Sequence, residues 1–167
     1  MEISSLTSYP SAIGTIAGWY YEAWGREDGM SLEVEHRKLT RSFTGKSFPY
    51  TYLALVDGQL IGAAQLKLQE MKEFPALAHW LGNVYVVASA RGTGVAQALV
   101  SHVAAEAQDH GIEKLYLQTE DLSGGLYSRC GWTALTHTQS HGKEVLIMER
   151  RLGPNNSFKP NPLRGSA

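Results

Sequence analysis

With 167 residues, the chain is long enough for one domain with its own buried core. A hydrophobic fraction of 43% with 19% charged residues is that of an ordinary soluble globular protein, and a formal net charge of -1 with dispersed Lys and Arg argues against a nucleic-acid or anionic-membrane partner. The single cysteine, Cys130, makes no internal disulfide and points to a reducing compartment. With Glu2 early and no long apolar run, no signal peptide or transmembrane span is expected, and the expected location is cytoplasmic.

In chain order, residues 1–6 predict a short strand ended by Thr7-Ser8-Tyr9-Pro10. Pro10 suits the first turn of a helix because its φ is already fixed there. Ile13, Ile16, Ala17, Tyr20 and Trp24 then recur at helical spacing on one apolar face, and Gly25 and Gly29 end the pattern. Ser31 is placed to cap a second helix, with Val34 and Leu39 inward and Glu33, Glu35, Arg37 and Lys38 in solvent. Residues 51–56 read as a strand, Asp57-Gly58 as a two-residue hairpin turn, and residues 59–68 as the returning strand. A polar loop broken by Pro75 leads to a central strand within residues 77–87.

A helix opening at about Thr93 is the clearest element. Val95, Ala96, Leu99, Val100, Val103, Ala104 and Ala107 form its apolar stripe, with small residues that let it lie close to a sheet, and Gly111 ends it. Residues 114–118 form the next strand, parallel to the previous one because a helical crossover joins them. A short helix over 122–130, a strand over 132–138, a turn at His141-Gly142 and a last strand over 144–151 complete the pattern. Residues 1–152 are thus expected to form one domain and 153–167 an irregular, proline-containing tail. The order of elements gives an α/β fold with a sheet of mixed direction.

Between the central strand and its helix lies Arg91-Gly92-Thr93-Gly94-Val95-Ala96-Gln97. Glycines without a Cβ let backbone approach a ligand, and the unpaired N–H groups of a helix start suit a phosphate. No Lys-Ser or Lys-Thr follows, so this is not a Walker loop, and Gln97 stands where a dinucleotide fingerprint has its third glycine. A tight strand-to-helix connection without a ligand is the remaining alternative. The six histidines show no metal-ligand spacing, so no metal is expected.

Two segments carry a family resemblance. Arg91-Gly92-Thr93-Gly94-Val95-Ala96 resembles the Arg/Gln-x-x-Gly-x-Gly/Ala motif of the GNAT superfamily of acyl-CoA-dependent N-acetyltransferases. Leu126-Tyr127-Ser128-Arg129-Cys130-Gly131-Trp132 resembles its second signature, Leu-Tyr-x-x-x-Gly-aromatic, and the two occur in the family's order. The resemblance implies a GNAT fold, a mostly antiparallel sheet with a central parallel strand pair that splays apart, flanked by helices. It implies acetyl-CoA as co-substrate, with backbone groups of Val84, Tyr85 and Val86 pairing its pantetheine arm and the amides of Gly92, Thr93, Gly94, Val95, Ala96 and Gln97 holding its pyrophosphate. Arg91 matches the motif's first position, and Tyr127 matches the tyrosine that protonates the departing thiolate. One ring among Trp19, Tyr20, Tyr21 and Trp24 is a candidate for the acceptor wall.

The sequence departs from the family pattern where Ala88 replaces a common proline, where no asparagine precedes the short helix, and at Gln118, an amide in a position where some members carry a glutamate base. The general base is left unassigned; Glu70, Glu73 and His79 lie just before the central strand and could act through water, with ordinary surface residues as the weightier reading. Cys130 is read as a small buried hydrophobe. The leading expectation is an N-acetyltransferase that acts on a primary amine of a small molecule or peptide. The alternative is a non-catalytic acyl-CoA-binding or regulatory module. Either the last strand or the tail offers a surface on which a homodimer could form.

Overall fold

The computed structural model describes residues 1–154, so the expected tail lies outside the described residues from 155 onward. Seven strands, β1 (Glu2–Ser5), β2 (Tyr50–Val56), β3 (Gln59–Lys67), β4 (Trp80–Val86), β5 (Lys114–Thr119), β6 (Thr133–Ser140) and β7 (Lys143–Arg151), form one sheet in the order β1-β2-β3-β4-β5-β7-β6. Four helices flank it: α1 (Ile13–Tyr20), α2 (Leu32–Ser42), α3 (Val95–Asp109) and α4 (Gly125–Arg129). Neighbouring strands are antiparallel except β4 and β5, which run parallel and register only at Trp80 and Tyr116. Beyond that pair the two strands separate. The architecture is the expected splayed α/β sheet.

Both faces of the sheet are covered. On one, α3 buries Val95, Leu99, Val100 and Val103 against Leu81, Leu115, Leu117 and Met148. Gly62 of β3 permits this closeness, since a Cβ there would stand 3.1 Å from Leu99 and 3.3 Å from Val95. On the other face Ile13, Ile16, Ala17 and Tyr20 of α1, with Leu39 of α2, pack on Leu53, Leu55 and Ala63. A third cluster of Met71, Trp80, Val145 and Ile147 fills the remaining part of that face, where the Trp80 indole donates to the Leu77 carbonyl at 2.7 Å.

Several local features differ from the sequence expectation, each for a visible reason. After α1 the chain widens into a π turn over Tyr21–Gly25, with Arg26 N–H donating to Tyr21 O at 2.9 Å and Met30 N–H to Gly25 O at 2.8 Å. The extra residue per turn swings Trp24 off the apolar face to 37% exposure. Glu35, expected in solvent, is buried against Gly25 and pairs with Lys38 at 3.5 Å. The short helix α4 begins late because Asp121 Oδ1 accepts from Ser123 N–H (3.0 Å) and Oγ (2.6 Å), and Gly124 and Gly125 adopt φ of +79° and +44°. The last strand, β7, is hydrogen-bonded on both sides, by β5 and β6, and therefore has no edge to offer a second copy.

Candidate functional site

The turn after β4 ends in a helix start without a side-chain cap. Gly92 and Gly94 adopt φ of +75° and +88°, values that L side chains avoid, and α3 starts at Val95 rather than at Thr93. No side chain among the described residues caps α3, so the amides of its first turn keep free N–H groups. A Cβ built on either glycine meets nothing within 4 Å, so the space above these amides is open. The turn itself is fixed from below: Thr93 Oγ1 donates to Ala90 O at 2.6 Å, and Arg91 Nε donates to Val86 O at 3.0 Å.

Next to this turn a cavity of about 280 Å³ opens where β4 and β5 part. Its lining includes Val84, Val86, Arg91, Ala96 and Tyr127, five of the residues singled out from sequence. It also includes Thr119 at the end of β5 and Leu126 of α4, the first of which no sequence motif marked. Gly92, Thr93, Gly94, Val95 and Gln97 belong to the adjoining turn and helix start. Tyr85 is oriented differently. Val87 N–H donates to Ile61 O at 3.0 Å, so alternation along β4 turns the backbone of Tyr85 toward β3 and leaves that of Val84 and Val86 facing the gap. The Tyr85 ring projects to the opposite face of the sheet and stacks on Trp19 with centroids 5.0 Å apart.

Tyr127 sits in α4, edge-on to Trp132 at a centroid distance of 6.4 Å. Burial, with a smaller contribution from Cys130, pushes its phenol above the ordinary tyrosine range, so it holds its proton throughout the neutral range. Asp121 is the contrasting group: hydrogen bonds from Ser123 hold its carboxyl below the usual carboxylate range. Cys130 is half-buried against the same core.

On the other face, a polar group spans the gap. Lys67 Nζ donates to Glu70 Oε2 at 2.7 Å and to Asn83 Oδ1 at 2.8 Å, and Gln118 Nε2 donates to Glu70 Oε1 at 3.2 Å. Asn83 has φ of +50° and lies where the β3–β4 register shifts, a bulge that re-aims β4 just before the gap. Glu70 is therefore no ordinary surface residue, with a side chain only 16% exposed, whereas Glu73 is exposed and His79 lies at the far, closed end of the strand pair. Further out on this face, the turn between β6 and β7 meets the segment between α1 and α2: Lys143 Nζ lies 3.2 Å from Glu27 and 3.3 Å from Glu120, and His141 Nδ1 lies 3.2 Å from Asp28. The larger cavity, about 530 Å³ beside His79, His110 and Tyr116, opens at the closed end and is remote from these groups. Among the described residues no cluster of His, Cys, Asp and Glu could hold a metal ion, and no helix is long and apolar enough to cross a membrane.

Residues 13–132 match the acetyltransferase (GNAT) family. No curated protein matches the chain significantly. Among solved structures, a ribosomal-protein-alanine N-acetyltransferase from Brucella melitensis superposes with a TM-score of 0.70 at 20% identity, covering 91% of this chain and 100% of its own. An aminoglycoside 6'-N-acetyltransferase from Enterococcus faecium gives 0.71 at 17% identity, with 92% and 98% covered. Another aminoglycoside 6'-N-acetyltransferase, solved as a complex with coenzyme A, gives 0.73 at 14% identity, again with 92% and 98% covered. The structural likenesses concern the fold; the family match shows that the chain belongs to the GNAT family of N-acetyltransferases.

Proposed function

We propose that this GNAT acetyltransferase moves the acetyl group of acetyl-CoA directly to a primary amine of a small molecule or peptide, with no covalent enzyme intermediate. The observation that carries this reading is the uncapped start of α3 beneath two left-handed glycines, opening onto a cavity that Tyr127 lines. The residues fit the co-substrate. The free amides from Gly92 to Gln97 receive a pyrophosphate through backbone N–H groups alone. Val84 and Val86 present the strand edge along which a pantetheine amide can pair, as an added strand would. Tyr85, expected beside them, has its backbone engaged with β3 and its ring stacked on Trp19 across the sheet, so it is left out of this pairing. Arg91 stiffens the turn through the Val86 carbonyl. One fold neighbour was solved with coenzyme A, which accords with this assignment.

In this reading Tyr127 gives its proton to the coenzyme sulfur as the thioester breaks. Its raised pKa keeps the phenol protonated at neutral pH, and the proton moves as negative charge develops on the departing sulfur. The acceptor reaches the gap from the face that carries Trp19, Tyr85 and Glu70. Carboxylates at Glu27, Asp28, Glu70 and Glu120 on that side favour a cationic amine over an acid. The neighbours named for aminoglycosides and for an alanine of a ribosomal protein supply two classes of acceptor to try first.

The test is release of free thiol from acetyl-CoA in the presence of an aminoglycoside, a peptide with N-terminal alanine, or a polyamine. Turnover with one of them is expected. Tight binding of acetyl-CoA without turnover on any amine would instead assign a binding or regulatory module. We also place the protein in the cytoplasm, on its single unpaired cysteine. The sheet ends in two edge strands, β1 and β6, and a homodimer could form on either, which light scattering tests.

A further inference from the structure

We infer that Glu70 is the group that takes a proton from the acceptor ammonium, with Lys67 and Gln118 as its positioning residues; the inference rests on the proposed acetyl transfer. Glu70 comes from neither strand of the parallel pair. It reaches in from the irregular segment between β3 and β4 and lies over Gly82, with Oε2 3.3 Å from where a Cβ on that glycine would stand. A Cβ at position 82 would crowd Lys67 first, at 3.1 Å, and then this carboxylate. One step further along each strand, Val84 and Thr119 line the Tyr127 cavity, so the carboxylate stands over the gap from the face opposite that cavity.

Its orientation is fixed from three strands. Lys67 on β3 and Gln118 on β5 each hold one oxygen, and Lys67 is in turn held by Asn83 at the bulge of β4. An ion pair whose only role was to join β3 to its following loop would not need a donor from β5. An ionised carboxylate has about four lone-pair sites. With one protein donor on each oxygen, room remains for a substrate ammonium. The amide at position 118 also acquires a role: it cannot accept the proton, yet it donates to the residue that can.

The proton count closes. Of the three ammonium protons, one goes to Glu70 before attack, one stays on the amide nitrogen, and one leaves the nitrogen after attack and replaces the proton that Tyr127 gives to sulfur. The N–C bond forms, the C–S bond breaks, and Glu70 passes its proton to water.

The experiment is the pH profile of kcat/KM for Glu70→Gln, using whichever amine of the panel the unaltered protein acetylates fastest. The expected result is a fall of at least about 100-fold and loss of the limb that rises with pH, with acetyl-CoA affinity by calorimetry and the melting temperature unchanged. Gln118→Met keeps the volume and removes only the orienting donor; it should lower kcat about tenfold with the KM for acetyl-CoA unchanged, and it carries the test if Glu70→Gln fails to fold. Full kcat and an unaltered profile in the variant that folds overturn the assignment to Glu70 alone. Failure of the unaltered protein to acetylate any amine overturns the functional reading, and this assignment with it.

Discussion

Lys143 and Glu27 are 116 residues apart in sequence, yet the lysine ammonium lies 3.2 Å from the glutamate carboxylate. The contact bridges the β6–β7 turn to the segment that follows α1, across the face proposed for the acceptor. Hydrogen bonds to Glu27 and then Glu120 raise the Lys143 pKa, so the ammonium persists at every pH at which the enzyme would be assayed. Exposed pairs of this kind contribute little to global stability. Lys143→Ala should therefore leave the melting temperature unchanged and act on the acceptor, lowering the KM of a cationic amine severalfold because Glu27 and Glu120 lose their counter-ion, while the KM for acetyl-CoA stays constant. Equal changes in both constants would place the contact outside the acceptor path.

Tyr127→Phe removes one oxygen from a ring packed against Trp132 and leaves the volume in place. If the phenol supplies the thiolate proton, kcat should fall toward the lower end of the usual range for general acids, about 100-fold, with acetyl-CoA affinity preserved. Full kcat on the true acceptor would show that solvent supplies the proton.

Gly94→Val tests the anion cradle. A Cβ at this position meets no protein atom within 4 Å, so the effect is expected from the left-handed backbone and from bulk above the α3 amides. A fall of at least tenfold in acetyl-CoA affinity, about 1.4 kcal/mol, is expected in calorimetry, with a cooperative melt retained. Unchanged affinity would remove the pyrophosphate from this turn.

Tyr20 provides a pH prediction. Its hydroxyl is buried with no hydrogen-bond partner among the described residues, and burial, then Glu35, raises its pKa above the ordinary tyrosine value. Above pH about 10 the unfolded chain releases this proton while the folded one keeps it, so stability falls as pH rises through that range. Tyr20→Phe should flatten the alkaline decline in denaturant midpoint. It should also stabilise the protein at neutral pH by about 1 kcal/mol, since an unpaired buried hydroxyl is removed. Loss of stability at neutral pH in Tyr20→Phe would show that the hydroxyl is paired in solution.

The turns and the glycine motif were legible because their signals are local. Asp57-Gly58 and His141-Gly142 adopt positive φ at both positions, as a two-residue hairpin turn requires, and Gly92 and Gly94 do so before α3. The stripe of α3 reads from its period because six of its seven residues are buried against one face. The anchoring of Glu70, which sets it apart from Glu73 and His79, was not legible. That residue lies in a stretch with no period, and Gln118, 48 residues away, meets it only once the sheet forms. Glu35 misled for a related reason: its place on the polar face of α2 is clear, but the π turn that covers it leaves no mark in sequence spacing.

Because β4 and β5 share only the register of Trp80 and Tyr116, the seven strands behave less as one plate than as two panels on a single hinge pin. The larger panel carries β1 to β4 and the smaller carries β5, β7 and β6. A molecule lodged between them by strand-like pairing becomes part of the scaffold, and occupancy then joins the panels mechanically. Native-state amide exchange should register this as slower opening of β7 and β6 when acetyl-CoA is bound, at residues remote from the gap.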